Sequence, residues 1–271
     1  MAMDDKSIRC ADEEFARLLE VVRELRLRCP WDREQTLEDS ARHLIEEAYE
    51  SAGAIEDSEN AAIADELGDL LVQVLFAANI AEQAGRFDVA AMIAAAREKL
   101  VRRHPHVYGS DQASSADEVI RNWERIKRDE RRRAGAASAL DGVARAMPAL
   151  MRAQKLGERA RGAGMDWDNI SAVIAKVGEE LDEIRAAIAA GDRDAAAEEI
   201  GDAMLALANA PRFVGHEAEA TLRRACDKFV RRFKEVERIA AADGLEPARL
   251  GSDELEQLWQ RAKRNLAASK A

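Results

Sequence analysis

An internal repeat constrains this chain more than any other feature. Glu46-Glu47-Ala48-Tyr49-Glu50 returns 133 residues later as Glu179-Glu180-Leu181-Asp182-Glu183. Glu66-Leu67-Gly68-Asp69 returns at the same offset as Glu199-Ile200-Gly201-Asp202. Three further features keep the order of the two halves. Lys99, Arg102 and Arg103 recur as Lys228, Arg231 and Arg232 at an offset of 129. Trp123, Arg125, Lys127 and Arg128 recur as Trp259, Arg261, Lys263 and Arg264, and Trp31-Asp32 as Trp167-Asp168, both at 136. Five features in one order at nearly one offset mean two homologous halves. We place them at residues 1–133 and 134–271, with a linker over roughly 131–147, where a basic run gives way to Ala134-Gly135-Ala136-Ala137-Ser138.

Each half reads as helix. The chain of 271 residues has five prolines and two threonines, while Ala, Leu, Glu and Arg dominate; these side chains lose little freedom in a helix. Ile63, Leu67, Leu70, Leu71, Val74, Leu75 and Ala78 follow the three-and-four step of a buried helical face, as do Val173, Val177, Leu181, Ile184 and Ile188. Sustained two-residue alternation is missing. The expected fold is all-α, two tandem helical-bundle domains.

Composition excludes several classes. The net charge is −11, whereas a sequence-independent nucleic-acid or membrane-surface binder needs a basic excess. The basic stretch from Arg121 to Arg133 contains Trp123 but is interrupted by Glu124, Asp129 and Glu130, which reads as a solvated helix. Three scattered cysteines make neither a disulfide framework nor a CxxC zinc or redox motif. The longest apolar run, Val89 to Ala96, is far too short to span a bilayer, and charges from Asp4 to Glu14 leave no signal-peptide core. The expectation is a cytoplasmic protein with no membrane and no stable nucleic-acid partner.

The acidic clusters carry the chemistry. In each half 15 residues separate the last Glu of EExxE from the Glu of ExxD. The gap contains turn formers, Asp57-Ser58-Glu59-Asn60 in one half and Gly191-Asp192 in the other. Two antiparallel helices joined by a short turn would bring both carboxylate pairs together. Residues three apart share a helical face, so Glu47 projects with Glu50 and Glu66 with Asp69. Four like charges at one place repel and raise pKa values unless a cation intervenes. Donors that are all oxygen favour a hard ion such as Mg²⁺ or Mn²⁺ over zinc. Gly68 and Gly201 inside the helices suggest close helix approach beside the acids, since each costs about 1 kcal/mol relative to Ala.

EExxE, a gap and ExxD together resemble the MazG nucleoside triphosphate pyrophosphohydrolases, all-α enzymes related to the dimeric dUTPases. The resemblance covers nearly the whole chain. It includes Cys29-Pro30-Trp31-Asp32, the run from Arg102 to Val107, Arg152-Ala153-Gln154-Lys155, and the run from Lys228 to Phe233. It implies Mg²⁺-dependent hydrolysis of NTPs or dNTPs to the monophosphate and pyrophosphate, a role in nucleotide-pool housecleaning, and a homodimer. It also implies that Glu180, Glu183, Glu199 and Asp202 hold the metal, with Glu47, Glu50, Glu66 and Asp69 as the first-half set.

The remaining roles follow from that chemistry. An activated water attacks the α-phosphorus, and Glu179, or Glu46 in the first half, orients or deprotonates it. Lys228, Arg231, Arg232 and Lys263 are candidates for the phosphate oxygens, with Lys99, Arg102, Arg103 and Lys127 as counterparts. Trp31 and Trp167 either plug the bundle ends, the favoured role, or stack on a base, and Trp167 is carried as a substrate-binding candidate. Asn209 lies two turns beyond Asp202 and is placed to read a base or ribose edge, but Pro211 kinks that helix or ends it early. Asn209, Arg152 and Lys155 lack first-half counterparts, so the second half is expected to be the main catalytic unit. Glu-x-x-His occurs nowhere, which removes a di-iron carboxylate bundle. Two alternatives stay open: a non-catalytic module binding nucleotides or a partner, and a hydrolase of another pyrophosphate-containing nucleotide.

Overall fold

The structure is a computed structural model that describes residues 5–268, with side chains from residue 10 onward; the charged positions 4–9 noted above lie outside the described side chains. Helices and short turns account for the described residues, with no strand among them. The packing divides the chain into two compact units, with the division in the sequence falling between Trp123 and Glu124.

The first unit holds α1 (Asp5–Arg28), α2 (Pro30–Glu34), α3 (Leu37–Asp57), α4 (Asn60–Gln83), α5 (Val89–Arg103), α6 (Pro105–Tyr108) and the first part of α7 (Ala116–Arg133). Thr36 starts α3 with a reciprocal capping box, its hydroxyl accepting from Asp39 N while the Asp39 carboxylate accepts from Thr36 N. Asp88 caps α5 one way only, its carboxylate accepting from Ala91 N. Val22 of α1, Leu75 and Ala78 of α4 and Val89 of α5 form the buried centre, surrounded by Phe15, Leu18, Leu19, Phe76 and Met92. Buried Arg26 ties three elements at one point. Its guanidinium donates to the carbonyls of Asp32 and Gln35 and to the side chain of Gln83 on α4.

The second unit holds the rest of α7, then α8 (Ala149–Gly162), α9 (Ile170–Ala190), α10 (Arg193–Leu207), α11 (Ala218–Asp243) and α12 (Ser252–Ala268). The later turns of α7 belong here because α8 holds them: Arg128 Nη1 donates to Gly162 O at 2.5 Å and Arg161 pairs with Glu124 at 3.0 Å. Two small cores form. Ala153, Ala208 and Ala218 join α8 to the ends of α10 and α11, while Val236, Ile239, Ala240, Leu258 and Ala262 join α11 to α12.

Both EExxE/ExxD segments fold as the helical hairpins expected, α3 on α4 and α9 on α10. The first turns at Ser58 and the second at Gly191, both in the left-handed region (φ 62° and 71°) and both donating their N–H to the closing carbonyls of the preceding helix. Asp192 then caps α10 through Ala195 N.

Of the two outcomes expected at Pro211, the early end is found: α10 stops at Leu207 and Pro211 begins a 3₁₀ turn (Pro211–Val214), since proline has no N–H to continue the ladder. Three expectations are corrected. Gly68 and Gly201 are not points of close approach, because a Cβ at either would meet nothing within 4 Å. The close approach lies instead at Gly157 on α8, where a Cβ would overlap Asn209 Oδ1. The apolar stripes are only partly buried. Leu75, Ala78 and Val173 are enclosed, but Leu67, Leu71, Leu181 and Ile188 face outward, because a two-helix hairpin covers only the strip between its helices. Trp31 plugs nothing: it is 62% exposed and meets the His43 ring edge-on.

Candidate active site

The hairpins place the repeated acids where their spacing predicts. In the first unit one carboxylate oxygen each from Glu47, Glu66 and Asp69 lie within 4.8 Å of one another, and Glu50 is close enough to act electrostatically on Glu47 and Glu66. In the second unit Glu180, Glu199 and Asp202 form the same group, with Glu183 acting on Glu180 and Glu199. Both clusters thus combine one helix's EExxE with the next helix's ExxD. Ser51 Oγ also donates to Glu66 O at 3.1 Å, bracing α3 against α4; the corresponding position in the second unit is Ile184.

Crowded carboxylates leave an electrostatic signature. Desolvation, then the charges of Glu50, Asp69 and Glu66, push Glu47 above the ordinary carboxylate value. Desolvation, then Glu50, Asp65 and Asp69, raise Glu66 in the same way. In the second cluster Glu199 is raised, by desolvation and then by Glu183, Glu180 and Asp202. Glu180 moves the other way. Its side chain is buried, and Lys176 Nζ stands 2.8 Å from its Oε1, holding it below the ordinary range. Lys176 also reaches Glu179 Oε2 at 3.2 Å, and its own pKa is raised by the two carboxylates.

An all-oxygen donor set that repels itself suits a hard divalent cation, which would replace that repulsion with attraction. The residues present fit such an ion in both units.

The other predicted residues fall outside these clusters. Glu46 and Glu179 are exposed and face basic neighbours, His43 at 3.7 Å and Lys176. Lys228, Arg231 and Arg232 lie on α11 and Lys263 on α12, where the Arg232 guanidinium sits 5.9 Å from the Trp259 ring centre. Lys99, Arg102 and Arg103 end α5, and Arg103 stacks over Trp123 at 5.7 Å. Two motifs that recur at different sequence offsets are therefore joined in space by the same cation–π contact in each half. Lys127 lines a groove between α7 and α8 with Glu124, Lys155 and Glu158. Trp167 is half-buried in the turn before α9, beside Asp166, which Arg212 binds. Asn209 does not face an open site. It is 1% exposed, donates to Leu205 O at 3.0 Å, and seats its Oδ1 against Gly157, because α10 has already ended. Lys176 forms an ion pair with Glu180 of the second quartet, a partner to which the sequence analysis gave no role. A lysine four residues before a glutamate is an ordinary helical pair, so only its burial partner marks it.

Residues 35–108 and 169–237 match the MazG nucleotide pyrophosphohydrolase domain, once in each half. The chain is 44% identical to a nucleoside triphosphate pyrophosphohydrolase of Escherichia coli, over 93% of this chain and 97% of that protein. It is 37% identical to the nucleoside triphosphate pyrophosphohydrolase/pyrophosphatase MazG of Thermotoga maritima, over 92% and 95%. A solved MazG-related structure from Thermotoga maritima is 28% identical, covering 41% of this chain and 97% of that one at a TM-score of 0.38. Twin hairpins, twin carboxylate clusters and a domain match in each half lead to one conclusion: the chain belongs to the MazG nucleotide pyrophosphohydrolase family.

Proposed function

We propose that this chain hydrolyses nucleoside triphosphates, NTPs or dNTPs, to the monophosphate and pyrophosphate with Mg²⁺ or Mn²⁺, as a cytoplasmic housecleaning enzyme working as a homodimer. The observation that carries this reading is the convergence of EExxE and ExxD carboxylates within 4.8 Å in each hairpin. The names of the relatives support the substrate class.

Glu180, Glu183, Glu199 and Asp202 would hold the cation in the second unit, and Glu47, Glu50, Glu66 and Asp69 in the first. The bound ion would polarise phosphoryl oxygens and neutralise charge on the triphosphate. Hydrolysis forms a bond from a water oxygen to the α-phosphorus and breaks the α–β bridging P–O bond, so the bridging oxygen leaves with pyrophosphate. Glu179 is assigned to orient that water and take its proton, with Lys176 fixing the carboxylate's position; Glu46 is its first-unit equivalent. Arg231, Arg232, Lys228 and Lys263 are assigned to the phosphates by charge, as are Lys99, Arg102, Arg103 and Lys127. Trp167 is assigned to stacking on the base, and Asn209 to buttressing α10 against α8 rather than to direct contact. The repeat units 1–133 and 134–271 are the proposed functional halves.

A homodimer is supported by apolar side chains left facing outward on the hairpins, Leu67, Leu71, Leu181, Ile188, Ile200 and Met204 among them. No described helix is long and apolar enough to cross a membrane.

The test is pyrophosphate release from the eight common NTPs and dNTPs, repeated with Glu183→Ala and Glu50→Ala separately. We expect Mg²⁺-dependent release, with the larger loss in Glu183→Ala. No release from any nucleotide would favour a non-catalytic binding module.

A further inference from the structure

The two carboxylate clusters are built alike but neutralised differently. In the second unit, Lys176 lies four residues before Glu180, and its Nζ is 2.8 Å from Oε1 of that buried carboxylate. The equivalent position in the first unit, 133 residues earlier, is His43. The His43 ring turns to Glu46, outside the cluster, at 3.7 Å. The charges raising Glu47 are Glu50, Asp69 and Glu66, and those raising Glu66 are Glu50, Asp65 and Asp69, all of them acidic. The second quartet thus has an ammonium on its buried glutamate at the position where the first has a histidine turned elsewhere.

We propose that Lys176 is an internal counter-ion of the second cluster, which a divalent cation must displace from Glu180, so that the two clusters of one chain take up the cation unequally. The inference rests on the cation reading given above and deepens it. An ammonium bonded to a ligand oxygen opposes a divalent ion twice, by occupying a donor and by placing like charge beside the incoming ion. It also serves the cluster itself. Glu180 is buried, and a buried carboxylate without a partner is costly, so the lysine keeps that carboxylate ionised and correctly aimed until the cation arrives. Partner charges facing the pair are Glu179 and Glu183 on α9 and Glu199 and Asp202 on α10; none is basic. The shift of Glu180 below the ordinary carboxylate range, while its equivalent Glu47 is raised, fits this difference. The first cluster, with no ammonium at that position, binds a lone cation more tightly; the second stays cation-poor at rest.

The test measures Mn²⁺ binding to the full chain without nucleotide, by the loss of the free-ion electron paramagnetic resonance signal. Glu66→Gln with Asp69→Asn silences the first cluster, and Glu199→Gln with Asp202→Asn silences the second. In the first background, Lys176→Met is expected to tighten Mn²⁺ binding about tenfold, while Lys176→Arg, which keeps the charge, stays within about twofold of the parent. In the second background, His43→Lys is expected to weaken binding by a similar factor. The His43→Lys arm does not depend on Lys176→Met folding. Unchanged affinity in Lys176→Met and in His43→Lys overturns the counter-ion while leaving the cation sites intact. Failure of every form, parents included, to take up Mn²⁺ overturns the cation reading itself.

Discussion

Ser58 and Gly191 close equivalent hairpins in the same left-handed conformation, yet only one is glycine. A serine at positive φ brings its Cβ toward the following carbonyl, a strain glycine avoids. Ser58→Gly should therefore stabilise the chain by about 1 kcal/mol in urea denaturation, without altering the midpoint's cooperativity. Gly157 is the opposite case. Its missing Cβ is filled by the carboxamide of Asn209, which is enclosed between α8 and the end of α10. Gly157→Ala forces that side chain out of a packed site and should cost roughly 1–3 kcal/mol by the same assay. Neither effect is legible from residue type alone. Gly68 and Gly201 drew attention because they repeat beside the acids, but their surroundings are open, whereas Gly157 repeats nowhere and is sterically required.

Among the elements, the hairpins α3–α4 and α9–α10 decide the chemistry. Like charges held together raise Glu47, Glu66 and Glu199. A carboxylate raised in the folded chain binds more protons there than when unfolded, between its ordinary and raised values. Stability then falls as pH rises through that window and is regained as pH falls toward the ordinary value. Without divalent cation, the melting temperature should rise on going from pH 7 toward about pH 5; with saturating Mg²⁺, which needs the ionised carboxylates, that gain should vanish or reverse. Melting curves across this range in EDTA and in Mg²⁺ check it. The hairpins were legible because helical spacing and a fixed 15-residue gap leave few other geometries. Lys176 was not, since its meaning depends on which carboxylate across the helix face is buried. Trp31 was misread because an aromatic beside proline says nothing about whether neighbouring helices reach it. Asn209 falls just past the end of α10, the early end that Pro211 allowed, and so leaves the helical face that carries Asp202. Apolar periodicity correctly gave helix, and it overstated burial, because the same stripe serves an intramolecular core at Leu75 and an open surface at Leu67.

Across the whole molecule, two copies of one design differ in how their acidic clusters are balanced, and in what surrounds them. Lys176, Arg152, Lys155 and Asn209 belong to the second half alone. The exposed apolar faces of both hairpins are the surfaces that the proposed homodimer would cover. The central claim is that these clusters hold a divalent cation through which a nucleotide triphosphate is bound. Calorimetric titration of a non-hydrolysable triphosphate tests it most directly, with Mg²⁺ or with EDTA, in the unaltered chain and in one carrying Glu66→Gln, Asp69→Asn, Glu199→Gln and Asp202→Asn. The account predicts tight binding only for the unaltered chain in Mg²⁺, with EDTA abolishing it; equal affinity in Mg²⁺ and EDTA, or full retention in the quadruple variant, would contradict it.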